Sequence, residues 1–176
     1  MNRSGFTLLE IIIVLALAGI LLSIATLNFN SWMKRSELDK QAKELYADIM
    51  NARQIALTTK INYGIVLGAS ATENPVSSYS FKRYSSEGGP QKVLYVKQVT
   101  YSVTKSNWVN PAKNEILFDE RGIMVDPIDK TLCIFSTLNP ALDALVITQS
   151  RVGLGKIINQ GARNATLCKK ANIELK

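Results

Sequence analysis

The hydrophobic positions divide the chain into two halves with different periods. Residues 11–27 read IIIVLALAGILLSIATL, without a charge or a proline. As a helix this run covers about 25 Å at ~1.5 Å per residue. Apolar residues 6–9 on one side, and Phe29 and Trp32 on the other, extend it toward the thickness of a bilayer. Helical spacing then continues in amphipathic form. Leu38, Ala42, Leu45, Ile49, Ala52 and Ala56 recur three or four residues apart and form one stripe. Lys34, Arg35, Lys40, Lys43, Glu44 and Asp48 fall largely on other faces, with Lys40 and Glu44 at i,i+4. No proline or glycine interrupts residues 20–61, so the pattern predicts one helix from about Phe6 to about Thr59.

From Asn62 the period changes. Short runs rich in Val, Ile, Tyr and Phe occupy Tyr63–Leu67, 78–84, 94–103, Glu115–Phe118, 132–135 and 144–148, and residues 156–158 offer one more. Breaker-rich segments separate them at 68–75, 85–90, 107–114, 122–130 and 139–143. A helix followed by several short strands predicts an α+β fold with an antiparallel sheet.

Composition narrows the chemistry. Apolar residues make up 47% and charged residues 20%, which excludes a disordered chain and a polytopic membrane protein. Histidine is absent, so triads and metal sites built on imidazole are excluded. No carboxylate pair or phosphate-loop pattern points to an enzyme, and no cofactor is expected. Acids at Asp119, Glu120, Asp126 and Asp129 do not follow the alternation of a calcium loop. Lys and Arg total 21 against 14 acids, a net charge of +7.

The N-terminal run matches a secretory signal poorly. Arg3 is its only basic residue before the apolar core, and no small-residue cleavage site follows. A plain signal anchor fits the hydropathy but leaves Glu10 unexplained, because a carboxylate at mid-bilayer costs roughly 2.5–3.5 kcal/mol. The order Gly5, Phe6, Thr7, Leu8, Leu9, Glu10, then the apolar run, resembles the leader of type IV pilins and type II secretion pseudopilins. The resemblance implies cleavage by prepilin peptidase between Gly5 and Phe6, followed by N-methylation of Phe6. Glu10 would then pair with a new N-terminal ammonium, its own or a neighbour's, which low dielectric strengthens. Snorkelling of Glu10 to the headgroups is the simpler alternative.

The same resemblance implies four segments: a removed leader at 1–5, a transmembrane and filament-core helix at 6–32, its amphipathic continuation at 33–61, and a β-rich head at 62–176. It implies a single-pass inner-membrane protein with its N-terminus cytoplasmic and its head periplasmic. The protein would then pass into a pilus or pseudopilus, near the tip, for secretion or pilus biogenesis. Partners would be the peptidase, other pilins and the inner-membrane assembly platform. Many pilins bend at a proline near the position of Leu27; this chain has none there. Phe29 and Trp32 suit either an interfacial belt or packing against the head.

Head motifs are similar to the H-type group of GspH-, FimU- and FimT-like proteins. Residues 116–122 (ILFDERG) resemble its element with a buried Phe118 and Gly122 in a turn, and 146–152 (VITQSRV) its late strand. FimT-type proteins are associated with DNA uptake through a basic tail element, which Arg151 matches in part, with Gly153 where a second arginine would stand. Arg151, Lys156, Arg163, Lys169 and Lys170 would be the DNA contacts of a minor pilin for natural transformation. A solvated basic face is the plainer reading, since no aromatics are interleaved. An extracytoplasmic head would also permit a Cys133–Cys168 disulfide, with two buried thiols as the alternative.

Overall fold

The computed structural model describes residues 7–70, 72–85, 91–106, 108, 114–158 and 167–176, with the side chains of 24–28 left aside. The leader, Gly5, Phe6 and Arg163 lie outside the described residues. One helix, α1 (Leu8–Thr59), runs without a break for 52 residues. Thr7 caps it, its side chain accepting the Glu10 N–H at 3.3 Å, and Thr7 and Glu10 have the spacing of a capping box. Its far end closes at Lys60, where φ is 56° and the N–H returns to the Ala56 carbonyl.

Eight strands follow: β1 (Tyr63–Leu67), β2 (Val76–Arg83), β3 (Lys92–Ser106), β4 (Glu115–Phe118), β5 (Lys130–Ile134), β6 (Ala144–Ile147), β7 (Val152–Ile157) and β8 (Ile173–Leu175). They form one antiparallel sheet in the order β4-β1-β2-β3-β5-β6-β7-β8. The fold is therefore α+β, a long helix laid on a sheet.

The helical stripe read from spacing is the core. Leu38, Ala42, Leu45, Ile49, Ala52 and Ala56 are all buried. They meet Ile65, Leu67, Phe81, Ile116, Phe118, Leu132 and Leu145 from the sheet. Three of the six helical residues are alanines, which lets the helix axis approach the strands closely. Toward the C-terminal end of α1 the contact is close. A Cβ on Gly122, where φ is 68°, would sit 2.7 Å from Leu57, and Arg53 donates to the Gly122 carbonyl at 2.8 Å. The Phe118–Gly122 element therefore has the burial and turn expected of it.

Several boundaries differ from the sequence reading. Lys130 belongs to β5, not to the loop before it. It is buried, its ammonium held by Asp126 at 2.6 Å and placed 4.1 Å from the Trp108 ring centre. Residues 146–152 are not one strand: Thr148 accepts the Arg151 N–H in the turn between β6 and β7. β7 starts earlier than residue 156 and β8 was not expected, because Gly153, Gly155 and a three-residue strand carry little β signal. Phe29 and Trp32 are exposed, their rings 6.0 Å apart. They are not part of the head core.

Candidate functional site

The first turns of α1 present apolar surface on every side. Leu8, Leu9, Ile12, Leu15, Leu21 and Leu22 are each more than half exposed. A helix that is apolar all round is stable only when something other than water surrounds it. Ser23 fits such a surface because its hydroxyl donates to the Gly19 carbonyl at 2.9 Å. Glu10, exposed one turn into the helix, is the single charge on this surface. Over the described residues alone, no helix is long and apolar enough to cross a membrane.

The basic residues of the tail are dispersed. Arg151 sits in the β6–β7 turn, Lys156 pairs in register with Glu174 across β7 and β8, and Lys169 is exposed. Lys170 is held by Asp129 at 2.6 Å. Arg151, Lys170 and Lys176 line a hollow of about 590 Å³ with Tyr46, Leu154 and Leu175. Of the four expected residues that are described, the structure therefore brings two together, adds Lys176, and leaves Lys156 and Lys169 outside the hollow.

Of the four acids weighed against a calcium loop, Asp119, Asp126 and Asp129 are used in other ways. Asp119 accepts the N–H groups of Arg121 and Ile123 and the Arg121 guanidinium. Burial works against its charged form, but these donors prevail and hold its carboxyl below the ordinary range. Asp126 and Asp129 hold Lys130 and Lys170. Among the described residues no three acids or cysteines are grouped to hold a metal.

Cys133 on β5 and Cys168 are joined in a disulfide, Cα to Cα 5.8 Å. The alternative of two buried thiols is thereby excluded. Both are fully buried in a small second core with Ala144, Val146, Ile157 and Ile173. The bridge fastens the tail that carries β8 to the middle of the sheet.

One cluster escaped the sequence reading. Asp48 lies on α1 beside the core position Ile49 and is nearly buried. Tyr79 donates to it at 2.6 Å, Lys97 at 2.7 Å and Tyr95 at 3.5 Å. Burial and then the Asp48 charge push Tyr95 up to about 12. Burial and the hydrogen bond to Asp48 also raise Tyr79. The only sequence signal was an acid adjacent to a core position.

Comparison with known proteins supplies an independent line. A family model described as a prokaryotic N-terminal methylation motif matches residues 1–26. Pilin-like protein PilA1 of Thermus thermophilus is 29% identical over 157 residues, 85% of this chain and 96% of that protein. A crystal structure of the type IV minor pilin FimU of Pseudomonas aeruginosa superposes with a TM-score of 0.53 at 21% identity, covering 70% of this chain and 91% of that one. A second crystal form of FimU gives 0.50 at 20%, covering 66% and 90%. At these identities the two crystal structures speak for the fold.

The disulfide closes a loop with a sequence separation of 35. Replacing both cysteines by alanine is expected to cost about 3–4 kcal/mol. Thermal unfolding of the full chain in detergent, with and without reductant, measures this: reductant should lower the wild-type midpoint and leave the double variant unchanged. The tyrosines predict a pH effect. In the unfolded chain they ionise near 10, while the fold holds Tyr95 protonated to about 12. Their stabilisation is therefore complete below about pH 10 and is lost as pH rises through about 12. Thermal melts across that interval should show the decline, and Tyr95→Phe should make it shallower.

Proposed function

We propose that this chain is a member of the type IV pilin superfamily, a minor pilin or pseudopilin of the H-type group and a structural subunit, not a catalyst; the methylation motif over residues 1–26 and the likeness to a pilin-like protein over most of the chain support this reading. The observation that carries this reading is the apolar shaft of α1, exposed on all sides and bearing one acid, Glu10. Prepilin peptidase cuts between Gly5 and Phe6 and methylates the new terminus at Phe6. Until assembly the protein sits in the inner membrane with residues 6–32 in the bilayer, the N-terminus cytoplasmic and the head, residues 62–176, periplasmic. The assembly platform then moves it into a pilus or a type II secretion pseudopilus near the tip, where its shaft packs against those of other pilins.

Glu10 sets register in this scheme. Inside a bundle of apolar helices the dielectric is low, so a carboxylate without a cation is strongly penalised. The ammonium of a neighbouring Phe6 relieves that penalty at one axial offset only. The amphipathic continuation, residues 33–61, transmits that position to the head because α1 is unbroken.

A second reading, a DNA-binding minor pilin for natural transformation, draws support from the hollow where Arg151, Lys170 and Lys176 meet. Against it, Asp129 already neutralises Lys170, and among the described residues Tyr46 is the one aromatic lining the hollow, so base stacking has little to work with.

Gly5→Ala is expected to reduce processing, seen as an unprocessed precursor whose N-terminus is Met1 by mass spectrometry. Glu10→Ala should leave processing and membrane insertion intact but abolish incorporation into sheared filaments. Normal incorporation of that variant would overturn the register role. Gel-shift titrations of the full chain in detergent with duplex DNA test the second reading. Binding should weaken steeply with salt and fall with Arg151→Ala; no shift at micromolar protein removes it.

A further inference from the structure

Among the described residues, β3 has an edge that its neighbours leave open. On one side it pairs with β2 from Lys92 to Val103. On the other side β5 joins only from Val103 to Ser106. Among the described residues one group meets the edge below that point. The Gln41 side chain accepts the Tyr101 N–H at 2.8 Å and donates to the Tyr101 carbonyl at 2.6 Å. A side-chain amide offers the same donor and acceptor as a peptide group. Gln41 therefore occupies one station of a strand ladder whose further stations, toward Lys92, have no partner strand among the described residues.

Beyond Lys92, which stands exposed at its start, the edge also lacks the usual defence. Exposed edges are commonly blunted by a lysine pointing outward. Here Lys97 turns to the helix, its ammonium 2.7 Å from Asp48. Val93, Leu94 and Val96 remain between 45% and 59% exposed along the same stretch. A long edge carrying apolar side chains is a template for another strand.

Charge at one end indicates what kind of strand. Arg83 and Lys92 stand directly opposite each other across β2 and β3, and both line a hollow of about 450 Å³. Like charges in opposed positions repel, and among the described residues neither meets a carboxylate. An incoming acid would relieve both. A second copy of this chain would instead bring another net charge of +7.

We propose that the open edge of β3, residues 92–100, binds an extended segment of a different protein by strand addition. That segment carries apolar side chains at alternate positions and a carboxylate at the end that reaches Arg83 and Lys92. Main-chain hydrogen bonds supply affinity, and the paired cations fix direction and register. The docking does not depend on how the shaft assembles.

The test uses the full chain in its own cells, with a photoreactive benzophenone side chain in place of Val96, and in a second strain in place of Leu15. Illumination at Val96 should give an adduct with a different protein, mapped by mass spectrometry to an extended acidic segment. Lys92→Gln, and the double change Arg83→Glu with Lys92→Glu, should reduce that adduct by about tenfold or more while the Leu15 adducts persist, which shows that the variants still fold and insert. No adduct at Val96, an adduct only with another copy of this chain, one mapped to a helix, or one indifferent to the charge changes would overturn the proposal. Adducts at Leu15 without any at Val96 would remove the edge site and leave assembly standing. Adducts at Val96 without any at Leu15 would do the reverse.

Discussion

A single uninterrupted helix has to satisfy two unlike surroundings, and everything else in the molecule is arranged around that constraint. Its first half offers apolar side chains in every direction; its second half offers one apolar stripe to a sheet. Because α1 has no break, rotation and axial position are shared between the halves. Anything that fixes the stripe on the sheet also fixes which side of the shaft lies beneath the head. Alanines at 42, 52 and 56, and the contact of Leu57 with Gly122, make that seating close and resistant to slipping.

The helix carries a second, polar stripe beside the apolar one. Glu37 accepts the Tyr101 hydroxyl at 3.2 Å, Gln41 takes the Tyr101 peptide groups, and Asp48 gathers Tyr79, Tyr95 and Lys97. These positions follow helical spacing along one line. They hold the helix against β3 where, among the described residues, the sheet itself offers no neighbouring strand. The eight strands thus divide into two groups that share β3, one through its early residues and one through Val103–Ser106.

Much of this was legible in the residues, and the reasons are physical. The stripe from Leu38 to Ala56 follows from a period that a helix imposes on any one-sided burial. β1 and β4 were readable because short β-branched and aromatic runs between breakers have few other uses. β8 was not, since three residues at a chain end owe their strand state to pairing with β7 and to the nearby bridge to Cys133. Lys130 looked like a loop residue because its burial depends on Asp126 and Trp108 lying close in space. At the N-terminus the pattern from Gly5 to Glu10 carried the family signal, consistent with the methylation-motif match over residues 1–26. The cationic tail was readable as composition but not as a surface, because only folding decides which lysines meet acids.

The bond between Cys133 and Cys168 encloses β6, β7 and the approach to the tail within one covalent ring. A single cut of the backbone anywhere inside that ring opens it without releasing either piece. A clipped molecule would therefore migrate as one species, its last strand still attached, until its sulfurs were reduced.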